Sequence, residues 1–258
     1  MEIIYCKVVN GTFLKKGHFL VLMTTFTYQE RFKTLQGVFD EFTNRTLFEL
    51  QSRDYFDELV SPLLIGKESN VFLASKGKGM VIVKIYRIQN CDFNRMFEYI
   101  KKDPRYEFLQ KHRRQIILAW TQREYKNLVR AKKAKILVPE PITFMNHILV
   151  EEMIGDQEPA PMLKDTKPKD PKTFFALILE DMKKLYDEGL IHGDLSPFNI
   201  LNYKEKQYFI DFSQATLVKT PNSEELLQRD IKNIVQFFAK LGIKENKAEI
   251  LNNITKKE

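Results

Sequence analysis

The chain has 258 residues, 43% hydrophobic and 12% aromatic, which excludes general disorder and is long enough for one large domain or two modest lobes. Lys and Arg total 41 against 34 Asp and Glu, a formal net charge of +7 that favours an acidic partner such as nucleic acid or nucleotide phosphates. Only two cysteines occur, Cys6 and Cys91, too few for a disulfide framework or a zinc cluster, so the expected compartment is the reducing cytoplasm.

The longest apolar run, His18 to Phe26, falls short of the ~20 residues that span a bilayer, and no basic segment or small-residue cleavage site precedes it, so neither membrane nor secretion is expected. Residues 1–27 read as an N-terminal extension, with Asn10-Gly11 between apolar runs as a hairpin signal. Residues 28–59 turn helical: Phe32, Leu35, Val38, Phe39 and Phe42 follow helical spacing, and Thr43 is the expected cap of a second helix carrying Leu47 and Phe48. Residues 60–154 form the N-terminal lobe. Its strands Leu63–Ile65, Val71–Ala74 and Met80–Tyr86 are separated by turn residues, the pattern of an antiparallel meander. A helix follows over 107–134, ending before Pro139 and Pro141, and then a strand at Ile148–Val150.

The stretch 155–171 holds Pro159, Pro161, Pro168 and Pro171 and reads as the joint to a C-terminal lobe, residues 155–258. A helix over 172–188, short strands at 199–203 and 207–211, and a helical tail over 223–254 complete it. The expected fold class is α+β and bilobal, an antiparallel sheet lobe joined to a reduced, mostly helical lobe.

The sharpest chemical signal is Ile191-His-Gly-Asp-Leu-Ser-Pro-Phe-Asn-Ile-Leu201 followed by Tyr208-Phe-Ile-Asp-Phe212. Asp194, Asn199 five residues on, and Asp211 after a short hairpin have the grammar of a kinase catalytic loop: a base for the attacking hydroxyl, then two metal ligands. Lys84 lies inside an apolar strand, where a lysine is costly unless paired. Glu124 lies on the apolar stripe of the following helix and is its expected partner, with Glu107 the weaker competitor. In the turn Gly66-Lys-Glu-Ser-Asn70, Lys67 and Ser69 could hold phosphate oxygens with backbone N–H groups. Glu152 and Ile154 sit where a hinge would meet an adenine edge.

Taken together these segments resemble the RIO atypical protein kinases, in particular the first, RIO-one-type branch in its archaeal form. The resemblance rests on Gly66–Val71, Ala160-Pro-Met-Leu-Lys164, Ile191–Asn199 and Ile210-Asp-Phe-Ser-Gln214, and it covers roughly residues 38–241. It implies a serine/threonine kinase, also an ATPase, that uses ATP and Mg²⁺ (with Mn²⁺ as a substitute) and acts in maturation of the small ribosomal subunit. On that resemblance Asp194 is the catalytic base, Asn199 and Asp211 hold metal, Lys84 with Glu124 positions the phosphates, and Glu152 and Ile154 meet the adenine.

Forty-seven positions follow Asp211, too few for an activation loop and the peptide-binding helices of ordinary protein kinases. Residues 101–135 carry twelve Lys or Arg against Asp103, Glu107 and Glu124, a solvated helix face or a contact surface for ribosomal RNA in a pre-small-subunit particle. The competing readings are a small-molecule phosphotransferase of the aminoglycoside or choline kinase type, the small kinase of the tRNA-threonylcarbamoyl machinery, and a non-catalytic assembly factor.

Overall fold

The computed structural model describes residues 39–88 and 91–256. The hairpin signal at Asn10-Gly11, the apolar run from His18, Cys6 and most of the helical pattern that starts at Tyr28 lie outside the described residues.

Helix α1 (Glu41–Ser52) is capped by Asp40, whose carboxylate accepts the Thr43 backbone N–H at 2.7 Å. Thr43 is therefore not the cap: its side chain turns inward, 3.0 Å from the His147 ring. Asp40 wins the position because its acceptor satisfies an N–H of the first turn, while the Thr43 hydroxyl is drawn into the core. Leu47 and Leu50 bury against Phe72, Val83 and Val150 on one face of the sheet.

Three strands follow as the meander, β1 (Glu58–Ile65), β2 (Ser69–Lys76) and β3 (Gly79–Tyr86). β1 starts earlier than the apolar run suggests. Pro62 is accommodated because β1 is an edge strand and irregular in register there. Beyond β3 the structure departs from the expected order of elements. A short helix α2 (Phe93–Ile100), capped by Asp92, was not anticipated, and the helix expected over 107–134 begins later, as α3 (Arg113–Lys133), after a 3₁₀ turn at Pro104–Tyr106. α2 buries only Met96 and Ile100, too short a stripe to stand out by periodicity. Strand β4 (Pro141–Met145) was hidden by Pro141, which opens another edge strand, paired with β5 (Ile148–Glu152). The sheet order is β1-β2-β3-β5-β4, antiparallel throughout.

After the proline-rich joint, α4 (Pro171–Asp187) starts with Pro171 in its first turn and Asp170 as cap. Strand β6 (Leu190–Ile191) leads into the loop of the sharp motif. The hairpin β7 (Ile200–Tyr203) and β8 (Lys206–Phe209) leads to Asp211. A 3₁₀ turn (Phe212–Gln214) and β9 (Thr216–Leu217), paired with β6, bring the chain to α5 (Ser223–Ala239). The single expected tail helix is two, because the chain turns at Gly242, whose φ is +90°, before α6 (Lys247–Thr255). Between Asp211 and α5 the described residues contain nothing longer than that turn and β9.

The two halves are joined through α3. Arg123 donates to the Ser213 carbonyl at 3.0 Å, and the Asn127 amide donates to the carbonyls of Phe212 and Ala215 at 3.1 and 2.8 Å. These bonds satisfy the carbonyls of the turn after Asp211 from the helix that carries Glu124, so both acids keep a fixed position relative to each other.

Candidate active site

Lys84 is buried on β3 and its ammonium lies 2.9 Å from both Glu124 Oε1 and Asp211 Oδ1. One lysine thus ties the sheet, α3 and the loop after β8 together. The Tyr86 hydroxyl, two residues along the same strand face, donates to Glu124 Oε2. Desolvation opposes the charge on Lys84, but Asp211 and Glu124 outweigh it and hold the ammonium well above the usual lysine range. Burial likewise opposes the Asp211 carboxylate, and the Lys84 charge overrides it, bringing the group down to about 2. Burial lifts Glu124 above the usual range against the pull of Lys84. Asp211 adopts φ +61°, a conformation unfavourable for a side chain with a Cβ, and its carboxylate accepts the Ser213 N–H.

Asp194 stands in the loop after β6. The Asn199 amide donates to the Asp194 backbone carbonyl at 2.8 Å, and the Gln214 amide donates to its carboxylate at 3.2 Å. Burial, and then the nearby Asp211, raise the Asp194 carboxyl above the usual range. The loop depends on Gly193: φ is +75°, and a Cβ there would stand 2.9 Å from the Gln214 carbonyl oxygen. His192 anchors the same loop, its ring 3.0 Å from the Ile210 carbonyl, and burial lowers it to about 4, so it stays neutral.

Sequence reasoning missed what holds this loop from behind. Asp230 on α5 accepts the backbone N–H groups of Gly193 and Leu195 at 2.7 and 2.8 Å, and burial pushes its carboxyl up to about 8. Arg229 donates to the Gly193 carbonyl and lies 3.9 Å from the Asp194 carboxylate. The signal was present: Asp230 falls between Leu226, Leu227 and Ile234 on the buried stripe of α5, the same criterion that found Glu124.

A cavity of about 590 Å³ opens in front of these groups. Val71 and Ile82 of the sheet form one apolar wall, and Met162, Leu201 and Ile210 form the other. Ser69, Lys84, Glu152, Ile154, Asn199 and Asp211 all line it, so most of the residues singled out in the sequence converge on one space. Lys67 does not: it is exposed, away from the lining. Its neighbour Glu68 is the residue turned toward the acids, its carboxyl raised by burial and then by Asp211. Glu107 is exposed and plays no part. Glu151 was not foreseen. It is buried on β5, lines the cavity, and burial pushes its carboxyl up to about 8.

The basic stretch 101–135 is not one surface. Arg123 is fully buried, paired with Asp103 at 3.2 Å, and Arg130 bonds the Glu188 carbonyl. Lys101, Lys102, Lys111, Arg113, Arg114, Lys126, Lys132, Lys133 and Lys135 are exposed, Lys101 and Lys132 in surface ion pairs with Glu98 and Glu140. Among the described residues no helix is long and apolar enough to cross a membrane.

A profile of the RIO domain matches residues 70–251. The chain is 42% identical over 233 residues to the RIO-type serine/threonine-protein kinase Rio1 of Methanocaldococcus jannaschii, covering 90% of this chain and 80% of that one. It is 38% identical over 215 residues to the protein of the same description from Haloferax volcanii, covering 83% and 74%. The human serine/threonine-protein kinase RIO1 is 32% identical over 217 residues, covering 81% of this chain and 38% of the human one. Among solved structures, the Rio2 kinase–ADP/Mg²⁺–phosphoaspartate complex from Chaetomium thermophilum superposes with a TM-score of 0.65 at 23% identity, covering 83% of this chain and 66% of that one. That likeness extends to the α+β, two-lobed kinase architecture.

Proposed function

The chain belongs to the RIO family of serine/threonine-protein kinases, and on that premise we propose that the cavity binds ATP with Mg²⁺ and that Asp194 directs the γ-phosphoryl group to a hydroxyl acceptor. The observation that carries this reading is the convergence of Lys84, Asn199 and Asp211 on one cavity, with Asp194 beside them. The apolar lining suits a flat base, and Glu152, Met153 and Ile154 line the same cavity. Lys84 is pre-charged and held by two carboxylates, so it can meet phosphate oxygens without losing its fixed position.

The donor set suits a hard cation. Asp211 is ionised, and Asn199 spends its amide N–H on Asp194, which leaves its amide oxygen to ligate. Among the described residues no cluster of three or more His, Cys, Asp or Glu could hold a metal alone. Asp211 and Asn199 offer the one or two protein oxygens that Mg²⁺ takes before phosphates and water complete its shell. When bound, the cation offsets charge on the triphosphate. Asp194 then orients the acceptor hydroxyl and takes its proton, helped by a carboxyl that is raised toward the working pH.

ATP hydrolysis as a second output is favoured by one observation: the short passage from Asp211 to α5 offers no platform for an extended peptide. The Chaetomium complex is described with a phosphoaspartate; here Asp211, which lines the cavity beside Lys84, and the neighbouring Asp194 are aspartates that could accept phosphate. The exposed cations around α3 would contact ribosomal RNA of a maturing small subunit in the cytoplasm.

The test is incubation with γ-labelled ATP and Mg²⁺, with and without small ribosomal subunits. Label on protein supports the kinase, label released as phosphate supports the ATPase, and no turnover under either condition contradicts both. Reversing Arg113, Arg114, Lys132 and Lys133 to Glu should weaken RNA binding and flatten its salt dependence. Unchanged affinity would leave that face as solvated charge.

A further inference from the structure

Glu151 is a residue the mechanism above leaves unused. On the antiparallel pair β3–β5 it stands directly opposite Ile82, while Lys84 stands opposite Leu149. Residues opposite one another project from the same face of a sheet, and Ile82 and Lys84 line the cavity, so Glu151 projects into the same space. It is only 9% exposed, and no other side chain among the described residues gives it a hydrogen-bond or ion-pair partner. A carboxyl this deep without a protein partner is costly, and the open space it lines is the cavity.

We propose that Glu151 selects the base: its carboxyl pairs with the N6 amino group and N7 of a bound adenine. The inference rests on the nucleotide reading of the cavity. The backbone of Glu152–Ile154 lies next along the chain and serves the N1 side of the base, which turns the N6/N7 edge inward, toward Glu151. The amino group has two hydrogens, so one can meet a hinge carbonyl and the other the Glu151 carbonyl oxygen.

The protonation state of Glu151 fits this edge. The groups that face it are Glu124 on α3, Lys84 on β3 and Asp211 after β8. Burial dominates, and the carboxyl is pushed up to about 8, so it carries its proton at neutral pH. A neutral carboxyl offers one acceptor and one donor. Adenine presents a donor at N6 and an acceptor at N7 on this edge, whereas guanine presents two acceptors, O6 and N7. The carboxyl therefore complements adenine at both points and guanine at one. A glutamine in its place would offer the same donor and acceptor, which is how Asn and Gln read adenine in nucleic acids. A methionine would offer neither.

Calorimetric titration of the full chain with ATP, GTP and 7-deaza-ATP, each with Mg²⁺, tests the pairing. The parent should bind ATP about tenfold more tightly than 7-deaza-ATP, the scale of one net hydrogen bond in a buried site, and should discriminate against GTP. Glu151→Gln should keep both preferences, and Glu151→Met should bring the ATP to 7-deaza-ATP ratio close to one. Equal binding of ATP and 7-deaza-ATP by the parent overturns the assignment without any variant, as does an unchanged ratio in Glu151→Met or a loss of preference in Glu151→Gln. In each of those cases ATP is still bound, so the nucleotide site stands. Failure of the parent to bind any of the three nucleotides overturns the site and the assignment together.

Discussion

Asp211 and Glu151 are two acids that line one cavity, and they end in opposite states. Burial opposes the charge on both. Asp211 has the Lys84 ammonium 2.9 Å away and is brought down to about 2. Glu151 has Lys84 only as a more distant neighbour, feels Glu124 first, and is pushed up to about 8. Asp211 has Lys84 and the Ser213 N–H as partners and a side chain that is 39% exposed, whereas Glu151 is 9% exposed and faces Glu124. Partner geometry and depth together decide which acid is a charge and which is a hydrogen-bond donor.

The sharpest way to break that comparison is to remove the shared cation. Lys84→Met should leave Glu124, 1% exposed, with only the Tyr86 hydroxyl, and should cost about 3–5 kcal/mol, the usual penalty for stranding half of a buried pair. Chemical denaturation reads this directly. A loss below ~1 kcal/mol would mean that the pair is not what fixes Glu124. A double-mutant cycle with Glu124→Ala should show coupling well above ~0.5 kcal/mol.

The same rule applied to a base should act with the opposite sign. His147 is fully buried beside Thr43, and burial lowers it to about 4. A histidine with a lowered folded pKa binds fewer protons folded than unfolded. Its contribution is complete above its unfolded pKa of about 6.5 and is lost as pH falls toward about 4. The amount at stake is on the order of 3 kcal/mol. Relative to His147→Gln, the parent should lose stability over that window and run parallel above it. Parallel curves throughout would place the imidazole in contact with water.

Asp230 sharpens the comparison at smaller scale, because it is raised to about 8 despite two backbone N–H donors. Asp230→Asn replaces one acceptor oxygen with an amide N–H facing a backbone N–H. It should cost about 1–3 kcal/mol and slow single-turnover phosphoryl transfer by displacing Asp194, with nucleotide affinity little changed. Unaltered turnover would make Asp230 a purely structural residue.

The sequence made legible what spacing and alternation encode. Lys84 in an apolar strand and Glu124 on an apolar stripe identified each other because both are charges where water is absent. Asp194, Asn199 and Asp211 were readable from the loop and hairpin between them. The signals that failed were short or local. α2 buries two residues, β4 begins with a proline, and Asp40 outcompeted Thr43 for a cap one turn away. Glu151 was overlooked for a different reason. In Ile148-Leu-Val-Glu-Glu152 it reads as the polar end of a strand, and only the register with Ile82 shows that it faces the cavity.

The central claim is that one cavity holds Mg²⁺–ATP through Asp211 while Asp194 acts on the attacking oxygen. Asp194→Asn and Asp211→Ala, titrated with a non-hydrolysable ATP analogue with and without Mg²⁺ and then followed in single-turnover kinetics, separate the two roles. Asp194→Asn should bind as the parent does and turn over at least ~100-fold more slowly. Asp211→Ala should lose Mg²⁺-dependent binding and turnover together. Normal turnover by Asp194→Asn, or Mg²⁺-dependent binding that survives Asp211→Ala, would contradict the account.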